Sequence, residues 1–336
     1  MTAVLILPET DGESFLANLI DRPFLRHVVE FVTDQGIRKI LVVGPAARKA
    51  QAMESIGRAW DGSIEYREAH SISGYEVAPI AGNEKCLFAS VACWPQFPLK
   101  RQLELAAGTI VYGANGNWTG WALVEPRDVA LMPPLRDHAA MLSYVQSLRN
   151  YAKLSADLEF RCGSPEDLWR AHMDALDSNL SRIFHGGLEV RPAVWMGRNA
   201  SVAASAEIHA PAYIGENSRI GPGAQIGPFA VIAKDCLIAP RTIIRHAVIA
   251  PGTYAGSDLE LDQLLVNKRH LFDVRFGVSV DRVDYPILDG VFDFHWPAIL
   301  RRVRGSLGRW PWRRAEVLET PAADAETNWR TPTRHQ

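Results

Sequence analysis

The sequence predicts two folds in series: an α/β domain on a mixed or parallel sheet, then a parallel β-helix. Three observations carry this expectation. A strand, a helix and a second strand follow one another within the first 44 residues; a strand–turn–helix spans Leu158 to Leu176; and from Val190 to Ile244 an aliphatic or Met side chain recurs every sixth position. A period of six fits neither the 3.6 of a helix nor the 2 of a half-buried strand. It fits a triangular coil of three short strands, each turning one such side chain inward.

Taken in order, Ala3–Leu7 (AVLIL) is an unbroken apolar run, as expected of a strand covered on both faces. Pro8–Ser14 (PETDGES) is a turn. In RPFLRHVVEFVTDQG the apolar Phe24, Leu25, Val28, Val29, Phe31 and Val32 recur at helical spacing, and Gly36 stops the run. Ile37–Gly44 is a second buried strand, which completes a βαβ unit with parallel pairing and a right-handed crossover. A helix within 46–59 and strands near 63–67, 87–91 and 121–124 continue the pattern. The glycine-rich GANGN (Gly113–Asn117) lies between two strands and reads as a hairpin turn, not a phosphate loop. After Leu158–Cys162, Gly163 turns the chain and Ser164 caps a helix with Pro165 at its first position.

The six-residue series is Val190, Met196, Val202, Ile208, Ile214, Ile220, Ile226, Ile232, Ile238 and Ile244. Two residues before each, the side chain is mostly small, as at Ala200, Ala206, Ala212, Ser218, Ala224 and Ala230; Gly197, Gly215, Gly221 and Gly227 follow the aliphatic position. Small residues suit the corners, and Gly eases the turn. The pattern resembles the left-handed β-helix of hexapeptide-repeat proteins, over residues 188 to 250 or about three and a half coils. In that family a β-helix implies either a trimeric acyltransferase with a histidine between subunits or a rigid extension of another enzyme. His209 and His246 are the candidates for the first; His209 reads as a solvated corner residue, and no further acyltransferase signature accompanies either.

Composition narrows the classes. The chain has 336 residues, 22% charged and 47% hydrophobic, enough for two or three globular domains. A net charge of -2 argues against a general nucleic-acid binder. Cys86, Cys93, Cys162 and Cys236 form no C-x-x-C pair, so neither a zinc ribbon nor a disulfide framework is expected. AVLIL is too short for a signal sequence, and no apolar run approaches the ~20 residues of a membrane span. The expectation is a cytoplasmic protein.

Three segments together, DRPFLRHVVEF, TGWALVEPRDVALMP and GSPEDLWRAHMDAL, resemble sugar-1-phosphate nucleotidyltransferases in their order, and with the β-helix the resemblance covers residues 3 to 250. It implies a nucleotidyltransferase-like (Rossmann-like) α/β domain over 1–180 and a left-handed β-helix over 186–256. The implied chemistry joins a nucleoside triphosphate to a sugar 1-phosphate and releases diphosphate. That needs a Gly-rich loop around the triphosphate, cations on the transferring phosphate, and carboxylates holding Mg²⁺. On the family's loop fall Pro8, Glu9, Thr10, Asp11, Gly12, Glu13 and Ser14: one glycine, no Arg, and three acids that repel phosphate. Cys93 falls on one of the family's metal carboxylates and Arg161 on the other. The stretch between Cys93 and Gly120 is too short for the family's sugar-binding lid.

Two readings of Arg161 follow. In the first the site is catalytically degenerate, no cofactor is needed, and the protein is a scaffold, regulator or sugar-nucleotide binder in polysaccharide or glycolipid assembly. In the second Arg161 stands in for part of the metal's charge and keeps an anion contact. The competing functions are an active Mg²⁺-dependent nucleotidyltransferase and a hexapeptide acyltransferase. Ser14 and His27 suggest a nucleophile and base, but His27 reads as a surface residue of the first helix. A homo-oligomer is expected. Residues 257–315 cap the coil and carry a basic, Trp-bearing segment, Phe292–Ala315, suited to a membrane surface or a protein partner. Residues 316–336 read as a disordered tail.

Overall fold

The first apolar run becomes the centre of a sheet. In this computed structural model, which describes residues 1–7, 18–57, 63–68, 73, 77–79, 82–99, 101, 108–113, 115–135, 138–148, 150–156, 158–177, 187–281, 283 and 287–291, β1 (Thr2–Ile6) is followed by a tight hairpin of β2 (Asn18–Leu19) and β3 (Arg22–Pro23). Then come α1 (Phe24–Asp34), β4 (Lys39–Gly44), α2 (Lys49–Ile56), β5 (Ser63–Glu68), β6 (Cys86–Ser90), β7 (Cys93–Gln96), β8 (Thr109–Tyr112) and β9 (Trp118–Val124). Helices α3 (Pro126–Leu131) and α4 (His138–Ser147) lead to β10 (Ala152–Ser155), β11 (Leu158–Arg161) and α5 (Pro165–Asp177). Among the described residues seven strands form one sheet in the order β10-β8-β9-β6-β1-β4-β5. β1 pairs parallel with both β4 and β6, as the βαβ spacing requires, whereas β9 runs antiparallel to β6 and β8. The sheet is therefore mixed. The GANGN turn joins β8 to β9, with the Gly113 amide donating to the Asn117 carbonyl at 2.8 Å.

From residue 194 the chain rotates through three sheets. Its first circuit is β13 (Val194–Met196), β14 (Ser201–Val202) and β15 (Glu207–Ile208); the second is β16 (Ala212–Ile214), β17 (Arg219–Ile220) and β18 (Gln225–Ile226). The third is β19 (Ala230–Ile232), β20 (Leu237–Ile238) and β21 (Ile243–Arg245), and the fourth β22 (Val248–Ile249), β23 (Thr253–Ala255) and β24 (Glu260–Asp262). β25 (Leu264–Asn267) opens a fifth. Each strand pairs parallel with its counterpart one circuit on, as in Val194↔Ala212, Ser201↔Arg219 and Glu207↔Gln225. Ile214, Ile220, Ile226, Ile232, Ile238 and Ile244 all fall in one buried cluster, so the six-residue series does mark the interior there.

Two corrections apply to its ends. Leu188 and Val190 lie in β12 (Leu188–Arg191), which runs antiparallel to β13; they are 59% and 41% exposed and outside the interior series. Parallel pairing also continues past 250, to Val266. The regular period hid this because the corner between β21 and β22 is one residue shorter: Val231 pairs with Val248, so Ile249 and not Ala250 points inward. Beyond β25 the chain turns back as β26 (His270–Asp273) and β27 (Val278–Val280), both antiparallel, while β28 (Leu288–Gly290) returns along β23.

Outward positions divide the three faces. Strand side chains alternate, so the residue between two inward ones faces out. On one sheet these are Trp195, Tyr213, Val231, Val248 and Leu265, and they belong to the core of the α/β domain. On the other sheets the matching positions include Ser201, Glu207, Arg219 and Gln225. One apolar column thus docks the coil on α5, whose Leu168, Trp169 and Met173 share the same core. Two polar bonds cross this seam: the Trp169 Nε1–H donates to the His246 carbonyl at 2.7 Å, and the Tyr213 hydroxyl donates to Asp21 Oδ2 at 3.1 Å. At one corner Asn199, Asn217 and Asp235 occupy the left-handed region, which short polar side chains tolerate. Asn199 Nδ2 donates to Asn217 Oδ1 at 3.3 Å, and Asn217 Nδ2 to Asp235 Oδ1 at 3.0 Å.

Candidate functional site

Strands β7 and β11 form a two-stranded antiparallel ribbon in which Arg161 pairs directly with Cys93. The two positions nominated from sequence are therefore neighbours, although 68 residues separate them. Glu159 lies two residues before Arg161 and so on the same side of β11. Arg161 Nε donates to Glu159 Oε1 at 3.1 Å and the Arg161 Nη2 to Oε2 at 3.2 Å, a two-pronged ion pair on a half-buried surface. The Cys93 thiol approaches Glu159 Oε2 at 3.9 Å. Gly113 explains how the carboxylate fits: a Cβ on that residue would lie 2.2 Å from Glu159 Oε2. The first glycine of the β8–β9 turn is thus required for a close approach. Glu159 was not among the residues singled out from sequence; its i−2 relation to Arg161 on a strand is the signal that finds it.

Burial pushes the Cys93 thiol up to about 12, against the pull of Arg161, so the sulfur is protonated at neutral pH. Burial works against the Arg161 charge as well, but the hydrogen bonds to Glu159 and the negative groups nearby outweigh it and raise its pKa. The resemblance implies Mg²⁺ at these positions, and the residues present do not fit it. Mg²⁺ takes oxygen ligands; here stand a neutral thiol and a guanidinium, and the Glu159 carboxylate beside them is engaged by that guanidinium. Among the described residues no cluster of three or more His, Cys, Asp or Glu side chains suits a metal ion.

Behind the ribbon lies an aromatic cluster. The Trp121 indole N–H donates to the Cys93 carbonyl at 2.7 Å and the Ser90 carbonyl at 3.2 Å. Trp121 meets Phe31 and Phe97 edge-on, and Trp94 packs on Phe160 and stacks on His27 at 5.2 Å. His27 is not a surface residue: it is 2% exposed, and its Nε2 bonds the Leu19 carbonyl at 3.1 Å. Its place in the stripe Phe24, His27, Val28, Phe31 foretells this burial. A second buried histidine, His172 on α5, accepts the Ile20 amide through Nδ1 at 3.1 Å. Burial lowers His27 to about 4 and His172 to about 3. Both neutral rings thus clamp the β2–β3 hairpin, where the β-branched Ile20 adopts a positive φ of 64°.

The candidate phosphate loop, Pro8–Ser14, lies outside the described residues, as do Phe292–Ala315 and the tail 316–336; the hairpin just described follows the loop in sequence. His209 and His246 each face a carboxylate rather than a nucleophile. His209 Nε2 lies 3.5 Å from Glu207 Oε2, and His246 Nδ1 lies 3.3 Å from Asp262 Oδ1 while its ring stacks on Phe229.

No family model and no curated protein matches the chain. Solved structures similar to part of it include a UDP-glucose pyrophosphorylase from Acinetobacter baumanii, 11% identical with a TM-score of 0.42, covering 53% of this chain and 94% of that one. A putative glucose-1-phosphate thymidylyltransferase from Bacillus anthracis is 12% identical with a TM-score of 0.44, over 56% of this chain and 98% of its own. HddC from Yersinia pseudotuberculosis, complexed with GMP-PN, is 13% identical with a TM-score of 0.41, over 51% and 98%.

Proposed function

We propose that this chain is a sugar-1-phosphate nucleotidyltransferase-like protein without metal-dependent transfer chemistry, which acts as a scaffold or regulator in polysaccharide or glycolipid assembly. The observation that carries the reading is the Cys93–Arg161 pair with Glu159 bound to it. Nucleotidyl transfer calls for carboxylate oxygens that bridge Mg²⁺ to the phosphates. A protonated thiol supplies no anionic oxygen, and a fixed guanidinium repels a divalent cation. Arg161 is also occupied: a phosphate that used it as an anion contact must displace the two hydrogen bonds from Glu159. On this reading no cofactor is required.

The rest of the chain supports a structural role. The rotating parallel sheets and their six-residue interior support a left-handed β-helix of hexapeptide repeats, packed on the α/β domain through its apolar outer column. At the first circuit Met196, Val202 and Ile208 are only partly buried, beside the exposed Leu188 and Val190. This apolar end supports self-association through the coil. No described helix is long and apolar enough to cross a membrane. A cytoplasmic location, at the inner membrane face where such assembly is served, belongs to the same proposal.

The test is radiolabelled diphosphate exchange by the purified chain with each nucleoside triphosphate and a panel of sugar 1-phosphates, with and without Mg²⁺, beside a thermal-shift screen of the same ligands. The expected result is no Mg²⁺-dependent exchange. Exchange that needs Mg²⁺ would overturn the proposal and make the chain an active enzyme. Thermal protection by coenzyme A, lost in His246→Ala, would make it an acyltransferase.

A further inference from the structure

A groove of about 550 Å³ runs between the α/β domain and the last circuits of the coil. Its lining includes Leu168 of α5, Val248 and Leu265 of the coil, and Leu271, Phe272 and Val280 of β26 and β27. The lining is mainly apolar. The same hairpin exposes Phe276 in its turn and Val278 at the start of β27, 73% and 52% exposed. Among the described residues β27 is an edge strand, paired only with β26.

The chain itself identifies an occupant. β28 returns along β23, and the Val291 amide then donates to the Gly252 carbonyl at 2.6 Å. Ala250 and Pro251, the two residues before Gly252, belong to the groove. The described chain therefore ends at the groove's rim. The next residues are Phe292-Asp293-Phe294-His295-Trp296, followed by Pro297. Aromatic side chains at alternate positions lie on one side of an extended segment, and five such residues reach about 16 Å. An apolar wall and an aromatic face emerging beside it are complementary, and the covalent link holds the segment at a high effective concentration.

We propose that Phe292–Trp296 of the same chain lies extended in this groove, with Phe292, Phe294 and Trp296 against its apolar wall. The segment would then tie the end of the coil to α5, and the Arg-rich stretch from Arg301 onward would leave from a fixed point.

The proposal is tested in the full chain by paired cysteines. The four native cysteines are buried. Val280→Cys with Trp296→Cys should form a disulfide under mild oxidation and run as a monomer. Glu207→Cys with Trp296→Cys, on a face turned away from the α/β domain, should not. Adding Phe294→Asp to the first pair should slow cross-linking at least about tenfold, the effect of some 1.4 kcal/mol. Equal cross-linking of both pairs, no cross-link in the first, or indifference to Phe294→Asp would each overturn the proposal. A cross-linked dimer would overturn it too, because the groove would then hold a second copy's segment.

Discussion

Lowering the pH should destabilise this protein through two buried histidines that stay neutral in the folded state. His172 and His27 are lowered from 6.5 to about 3 and about 4, chiefly by burial. Between those values and 6.5 the unfolded chain binds protons that the folded one does not, so stability falls as pH falls. From pH 8 to pH 5 each histidine costs about 2 kcal/mol, about 4 together. Asp21 works in the opposite direction. Burial raises it to about 6, so the folded state takes up a proton that the unfolded chain releases, and stability increases by about 1 kcal/mol over the same interval. The net loss is about 3 kcal/mol by pH 5, a large share of a typical 5–15 kcal/mol. Urea unfolding followed by circular dichroism at pH 8, 7, 6 and 5 measures it. His172→Asn offers an acceptor for the Ile20 amide but does not titrate. Its curve against pH should be shallower than wild type by about 2 kcal/mol across the interval, whatever its absolute stability. Parallel curves would refute the argument that the buried ring stays neutral.

Two further outcomes follow from close contacts. Gly113→Ala should displace the Glu159 carboxylate from its pair with Arg161 and cost about 1 kcal/mol, because that pair is partly screened by solvent. In Glu159→Gln the same substitution should cost measurably less, a non-additivity that chemical denaturation of the four proteins resolves. At the seam, Trp195→Ala should cost about 3–5 kcal/mol, as for a buried aromatic ring, and Tyr213→Phe about 1 kcal/mol for its bond to Asp21, with melting followed by calorimetry. Equal costs for the two would mean that the column does not hold the halves together.

Much of this architecture was legible because single residues dictate it. Each inward Ile of the coil is fixed by an interior that takes one aliphatic side chain at every sixth position, and α1 is fixed by its apolar stripe. The same regularity misled at Val190, where an antiparallel strand of period 2 fell in step with a period of 6. It also hid the continuation beyond Ile244, because one missing corner residue shifts every later position. The docking face was present in the sequence as Trp195, Tyr213, Val231, Val248 and Leu265, but a repeat read only for its interior does not show it. His27 was misread because its chemistry drew attention before its helical position did. At the candidate site Cys93 and Arg161 were legible one by one. Their pairing with Glu159 depends on which strand lies beside which, and a local pattern does not encode that.

The ion pair also bears on how this corner of the α/β domain holds together. A half-buried guanidinium must find a partner within the protein or from outside it. Had Arg161 faced an open pocket, an anion would have been needed to complete the corner. Glu159 completes it instead, two residues away on the same strand, and Gly113 leaves space for its carboxylate. The group Cys93–Glu159–Arg161 is neutral overall: thiol, carboxylate and guanidinium. Its contacts add to the backbone pairing of β7 with β11. β11 turns at Gly163 into α5, and α5 carries Trp169, whose indole reaches the coil at His246. Through α5 the ribbon of β7 and β11 is thus joined to the coil by apolar packing and one indole hydrogen bond.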